Sequence, residues 1–232
     1  MSANLSFQST QAAVSDEGGR LSFFFLLPIT VLVVGGLMGL ILTGPGYEPG
    51  SLWQTIPGSQ PESGRTGGIS VIFTPEVHTW EAEILRWARE AELDANMAAT
   101  VMQIESCGDP QAVSRSGAMG LFQVMPYHFQ AGENAFHPDT NALRGMAYLR
   151  RSLEAAGGEP RLSFAGYNGG IGVIGWAESD WPAETTRYAY WGSGIYADAS
   201  SGRLESDRLK EWLQAGGASL CRQAAERLGL ER

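Results

Sequence analysis

Positive charge is scarce in this chain and lysine nearly absent: 16 Lys and Arg stand against 25 Asp and Glu, and Lys210 is the only lysine. A formal charge of −9, with no run of like basic residues, excludes a surface built to grip a phosphate backbone, and no nucleic-acid partner is expected. Cysteine is scarce too. Cys107 and Cys221 are too few for a disulfide-rich mini-scaffold or a four-cysteine zinc site, and His78, His128 and His137 do not supplement them at ligand-like spacing. Neither a metal nor a cofactor is expected. Alternating strand patterns and internal repeats are missing as well, which points away from sheet and solenoid architectures. What the chain does have is 44% hydrophobic residues against 18% charged, enough for a core within 232 residues.

The pattern divides the chain into zones. Residues 1–20 read as a cytoplasmic tail. Leu21 to Thr43 is a 23-residue run without an ionisable side chain, long enough at about 1.5 Å per residue to cross a hydrocarbon layer of roughly 30 Å. It exceeds the apolar core of a cleaved signal peptide and has no small-residue exit site, so residues 21–43 are expected to be an uncleaved transmembrane anchor. Arg20 is the only base before it, and residues 44–64 contain no Lys or Arg, which orients the following chain outward. Residues 44–73 form a linker: seven Gly and four Pro between positions 44 and 70 leave no hydrophobic period. Residues 74–197 are a helical domain and 198–232 a helical C-terminal extension.

Within the domain the apolar spacing is that of helices. Thr74-Pro75-Glu76 is a start signal, followed by Val77, Trp80, Ile84, Ala88 and Ala91 on one stripe. Asp94 caps a segment bearing Met97, Val101 and Met102 that ends near Glu105. Asn141 reads as the cap of another, which Gly157-Gly158 stops. Further helical patterns fall near residues 162–167, 185–191, 204–213 and 220–228.

Glu105 stands at the exit of the apolar Val101-Met102-Gln103-Ile104 turn, just before Ser106-Cys107-Gly108 breaks the pattern. A carboxyl there is desolvated by its neighbours, which favours the protonated form that a general acid needs. The plain alternative, a solvent-facing glutamate at a helix end, stays open on these residues alone, although the helix dipole opposes a negative charge there.

Four blocks give Glu105 its context: Glu105-Ser106; Ser114-Arg115-Ser116-Gly117-Ala118-Met119-Gly120-Leu121-Phe122-Gln123-Val124-Met125-Pro126; Gly166-Tyr167-Asn168-Gly169-Gly170; and Glu184-Thr185-Thr186-Arg187-Tyr188. In this order and spacing they resemble the soluble lytic transglycosylase family, the goose-lysozyme-like glycosidases, over roughly residues 80 to 195. The resemblance implies a mostly α, lysozyme-like domain with a deep cleft. It makes Glu105 the catalytic acid and Ser106, Gln123, Tyr167, Asn168 and Tyr188 substrate-binding, with Tyr188 approaching the acid. Phe122 replaces the family's usual Met and Gly166 its Ala, which bears on specificity more than on activity.

Glycosidases in general use two carboxylates. Asp109, Asp139 and Glu184 are available, but no motif assigns them as base or nucleophile. The family needs none: its Glu protonates the glycosidic oxygen and then draws a proton from the sugar's own 6-hydroxyl, which closes onto the anomeric carbon. The implied partner is the peptidoglycan glycan strand, cleaved between N-acetylmuramic acid and N-acetylglucosamine to leave 1,6-anhydro ends. A goose-type lysozyme or chitinase-like hydrolase and a non-catalytic wall-binding module are the alternatives. Aromatic faces for the sugar are sought among Trp80, Trp87, Trp176, Trp181 and Trp191. An oxidising compartment permits a bridge between Cys107 and Cys221, while two buried thiols remain the other reading.

Overall fold

The computed structural model describes residues 67–230. The tail, the proposed anchor at 21–43 and most of the linker lie outside the described residues. Among the described residues no helix is long and apolar enough to cross a membrane.

Among the described residues eight α-helices, joined by loops, short 3₁₀ turns and a π-helical segment, carry the fold: α1 (Pro75–His78), α2 (Glu81–Glu90), α3 (Ala95–Glu105), α4 (Pro138–Ala155), α5 (Pro160–Gly169), α6 (Ala183–Ser200), α7 (Asp207–Trp212) and α8 (Ala218–Leu228). The described residues show no strand, only two isolated bridges, Val113 with Met119 and Met119 with Val124, which fold the loop after α3 back on itself.

α3 is the axis. Its sequence is apolar or small on nearly every side, and Met97 through Gln103 are all buried. Asp94 accepts from the backbone N–H groups of Asn96 and Met97, as a cap should. Val77, Ile84, Trp87, Leu121, Phe122, Leu149, Phe164 and Ile195 close around α3 in one continuous core. Each such side chain contributes about 1.5–3 kcal/mol on transfer from water.

The structure departs from the sequence reading in four places. The stripe from Val77 to Ala91 is two helices, broken at Thr79-Trp80, where the Trp80 indole N–H turns to donate to the Gly108 carbonyl. Thr74 stands at the N-cap of α1 but makes no side-chain cap bond; its hydroxyl donates to Cys107 Sγ at 3.3 Å. α4 begins at Pro138, three residues before Asn141. Asn141 is fully buried, accepting from Phe122 N–H and donating to the Met119 and Ala135 carbonyls, so it ties down the Gly-Leu-Phe-Gln turn instead of capping. Finally, Ile69, Ile72 and Phe73, counted by composition with the linker, are buried core residues.

The C-terminal extension is helical, and it packs into the same core through Leu209, Trp212, Cys221 and Ala224. Cys221 on α8 forms a disulfide with Cys107, 114 residues earlier, just past the end of α3.

Candidate active site

The end of α3 presents Glu105. Ser106 closes the helix, and Cys107 and Gly108 then take left-handed backbone angles, φ 51° and 87°. Gly108 is required here, since a Cβ would come within 2.8 Å of the Glu76 carbonyl oxygen. The turn is held from beneath. Gln103, fully buried, accepts from Thr74 N–H and donates to Cys107 Sγ at 3.1 Å. Glu76 lies beside both sulfurs, but these are bonded to each other and not free to act as thiolate ligands.

Glu105 opens into a cleft of about 510 Å³, which is also lined by Ser114, Ser116, Gln123, Tyr167, Asn168 and Glu184 among others. Only part of its surface is exposed. Burial pushes its pKa from 4.5 up to about 8, the Tyr188 phenol pulls against that rise, and the charge of Glu184 adds to it. At the C-terminus of α3 the dipole likewise disfavours the anion. The buried Tyr188 hydroxyl is close enough to influence the carboxyl, yet among the described residues it makes no hydrogen bond of ordinary geometry.

Gln123 lines the cleft in a left-handed conformation, φ 45°, which is uncommon for a residue other than glycine. Its amide nitrogen donates to the Ala112 and Gly120 carbonyls, fixing the side chain while no described residue donates to its oxygen. Tyr167 donates to the Phe122 carbonyl at 2.7 Å and stacks on Tyr188, ring centroids 6.4 Å apart. Asn168 accepts from the Thr185 hydroxyl at 2.9 Å. Phe122 is wholly buried, edge-on to Trp87, and packs the floor.

Ser106 does not belong to the cleft. It is fully buried, donating to the Leu121 carbonyl and accepting from Gly108 N–H, because the residue after the helix end turns inward to hold the loop. Of the other carboxylates, Asp139 is taken by Arg86 and the Trp87 indole, and Asp109 is buried near Arg227; only Glu184 faces the cleft. None of the described tryptophans lines it. The rings that do are Tyr127, His128, Tyr148 and Tyr167, of which sequence reasoning found only the last. Tyr127 and His128 follow the Met125-Pro126 block directly, so the Pro-initiated turn was their available signal.

Gly166, where the family carries Ala, has a local reason: a Cβ would fall 2.4 Å from Ser152 Oγ and 2.6 Å from Ile174 Cδ1.

The helical domain thus presents one proton-holding carboxyl at a helix end to a cleft of amides, hydroxyls and rings. Residues 83–188 match the family described as Transglycosylase SLT domain. Through this segment the chain is similar to the soluble lytic transglycosylases. It is 33% identical over 111 residues to the Transglycosylase of Enterobacteria phage PRD1, covering 47% of this chain and 40% of that protein. It is 28% identical over 143 residues to Membrane-bound lytic murein transglycosylase C of Edwardsiella ictaluri (strain 93-146), covering 47% and 39%. The chain thus spans about two fifths of the length of these curated relatives. Among solved structures it is similar to an inactive mutant of lytic transglycosylase Slt from Pseudomonas aeruginosa, at 20% identity and a TM-score of 0.41, over 68% of this chain and 25% of that one. It is also similar to the 70-kDa soluble lytic transglycosylase in complex with bulgecin A, at 21% identity and a TM-score of 0.39, over 57% and 23%.

Proposed function

We propose that this chain is a membrane-anchored lytic transglycosylase that cuts the peptidoglycan strand between N-acetylmuramic acid and N-acetylglucosamine. The observation that carries the proposal is the Glu105 carboxyl, half-buried in the cleft with its pKa raised to about 8, and so protonated at neutral pH. In the first step Glu105 donates that proton to the glycosidic oxygen as the anomeric C–O bond breaks. The resulting carboxylate then takes the proton of the sugar's 6-hydroxyl, whose oxygen bonds to the anomeric carbon, and no water is consumed. Tyr188, beside the carboxyl, stabilises the anionic stage by hydrogen bonding. Gln123 and Asn168 hold polar edges of the sugar. The murein named for the Edwardsiella relative supports the substrate.

Residues 21–43 are the anchor in this reading, with residues 44–66 as tether, and the domain stands on the outer side of the membrane. The uncharged 23-residue run and the membrane-bound relative support it. Oxidation of Cys107 and Cys221 suits that compartment.

A second reading has one observation in its favour: Glu184 places another carboxylate in the cleft, which a hydrolytic route could use to position water. Digestion of purified sacculi, with mass analysis of the products, decides between them. Anhydro ends are expected; products heavier by one water would establish hydrolysis, and intact sacculi would leave a binding module.

A further inference from the structure

The cleft contains more than the acid and its amides. Four rings follow one another along it, and the last stacks on the buried Tyr188. Tyr127 and His128 lie 4.5 Å apart between centroids, His128 and Tyr148 4.8 Å, Tyr148 and Tyr167 5.7 Å, and Tyr167 and Tyr188 6.4 Å. The row therefore runs from the cleft mouth to the phenol beside Glu105. Its outer members come from two separate segments: Tyr127 and His128 from the 3₁₀ turn Pro126–His128, Tyr148 from α4.

The outer rings do not earn their place in the core. Tyr127 is 75% exposed, although a large ring is ordinarily withdrawn from water. It is nonetheless held in place, because Pro126 opens the turn and the N–H groups of His128 and Phe129 close it on the Met125 and Pro126 carbonyls. The Arg151 guanidinium lies 5.9 Å from the Tyr148 ring centroid and braces it. Burial and Arg151 both lower the pKa of His128, so the imidazole in the row is a neutral ring near pH 7. Between the rings the lining also offers hydroxyl, amide and carboxyl groups, from Ser114, Ser116, Gln123, Asn168 and Glu184.

Pyranose rings match such a lining: one face is a patch of C–H groups that rests on an aromatic ring, and the edge is a rim of hydroxyl and amide groups. We propose that Tyr127, His128 and Tyr148 form a saccharide-stacking subsite at the mouth of the cleft, which holds a sugar of the glycan strand away from the bond that Glu105 attacks. The subsite rests on the reading of the cleft as a glycan site. It makes the enzyme sensitive to strand length, since a fragment too short to reach Tyr127 forfeits the contact.

The test uses the full chain carrying Glu105→Gln, so that bound glycan is not cut, and titrates it calorimetrically with a hexasaccharide of alternating N-acetylglucosamine and N-acetylmuramic acid. Adding Tyr127→Ala should weaken binding about tenfold, the worth of one aromatic contact. The melting temperature should stay unchanged, because the ring is mostly in water. Adding Tyr127→Phe should leave affinity at the parent level. Equal affinity of the Tyr127→Ala protein and its parent would overturn the subsite, as would a Phe variant as weak as Ala. If the parent itself binds no hexasaccharide, the reading of the cleft as a glycan site fails, and the subsite with it.

Discussion

Replacing Glu105 by Gln tests the buried-acid argument through two independent readouts. In the unfolded chain this carboxyl ionises near 4.5 and in the folded protein near 8. Between those values the folded state holds a proton that the unfolded state has released. Its contribution to stability is fully present below about pH 4.5 and is lost as pH rises through about 8. Each pH unit crossed is worth at most about 1.4 kcal/mol, and the part of Glu105 open to the cleft lowers that, so about 2 kcal/mol is expected between pH 5 and pH 8. Gln does not titrate. Melting temperatures of the two proteins should therefore converge at pH 5 and separate at pH 8, with Glu105→Gln higher by roughly 4–8 °C. Turnover on sacculi should fall by at least about a hundredfold in the variant, and in the parent it should decline as pH rises past about 8. Parallel melting curves across the pH range would refute the burial of the carboxyl; unchanged turnover would refute its role.

Three other perturbations follow from the same geometry. Tyr188→Phe removes the group that lowers the Glu105 pKa and Glu184→Gln removes one that raises it; the alkaline limb of the pH–rate profile should move up in the first and down in the second, and movement in the same direction would contradict the assigned causes. Reducing the Cys107–Cys221 bridge reopens a 114-residue separation, worth about 4–5 kcal/mol by loop entropy; urea unfolding with and without dithiothreitol measures it, and coincident midpoints would show that the bridge contributes nothing. Gly166→Ala, which restores the family's usual residue, should destabilise by about 1–3 kcal/mol through overpacking against Ser152 and Ile174, as thermal unfolding will report.

Much of the helical frame was legible in the sequence, because it is written in local chemistry. Asp94 caps α3 through its own side chain, and Gly157 and Gly158, both at positive φ, follow the end of α4. The site blocks were legible as an ordered motif, and Gln123, Tyr167 and Asn168 line the cleft with Glu105. What local pattern could not reveal were destinations set by partners far along the chain. Asn141 looks like a cap until Phe122 and Met119, about twenty residues upstream, claim its amide. Ser106 looks like a neighbour of the acid until the Leu121 carbonyl draws it inward. Ile69 and Phe73 sit amid linker composition, yet they are claimed by the core. The tryptophans attracted attention as sugar platforms by type alone, whereas the rings in the cleft are tyrosines and a histidine delivered there by α4, α5 and a proline turn.

The bridge between the turn after α3 and α8 also has a consequence in time. A ribosome delivers Glu105 well over a hundred residues before Cys221, so the clasp on the acid's own turn cannot close until α8 has been made and docked. The turn that follows Glu105 is thus without its covalent clasp in an emerging chain until α8 is in place, and thiol oxidation marks the moment at which it is fastened.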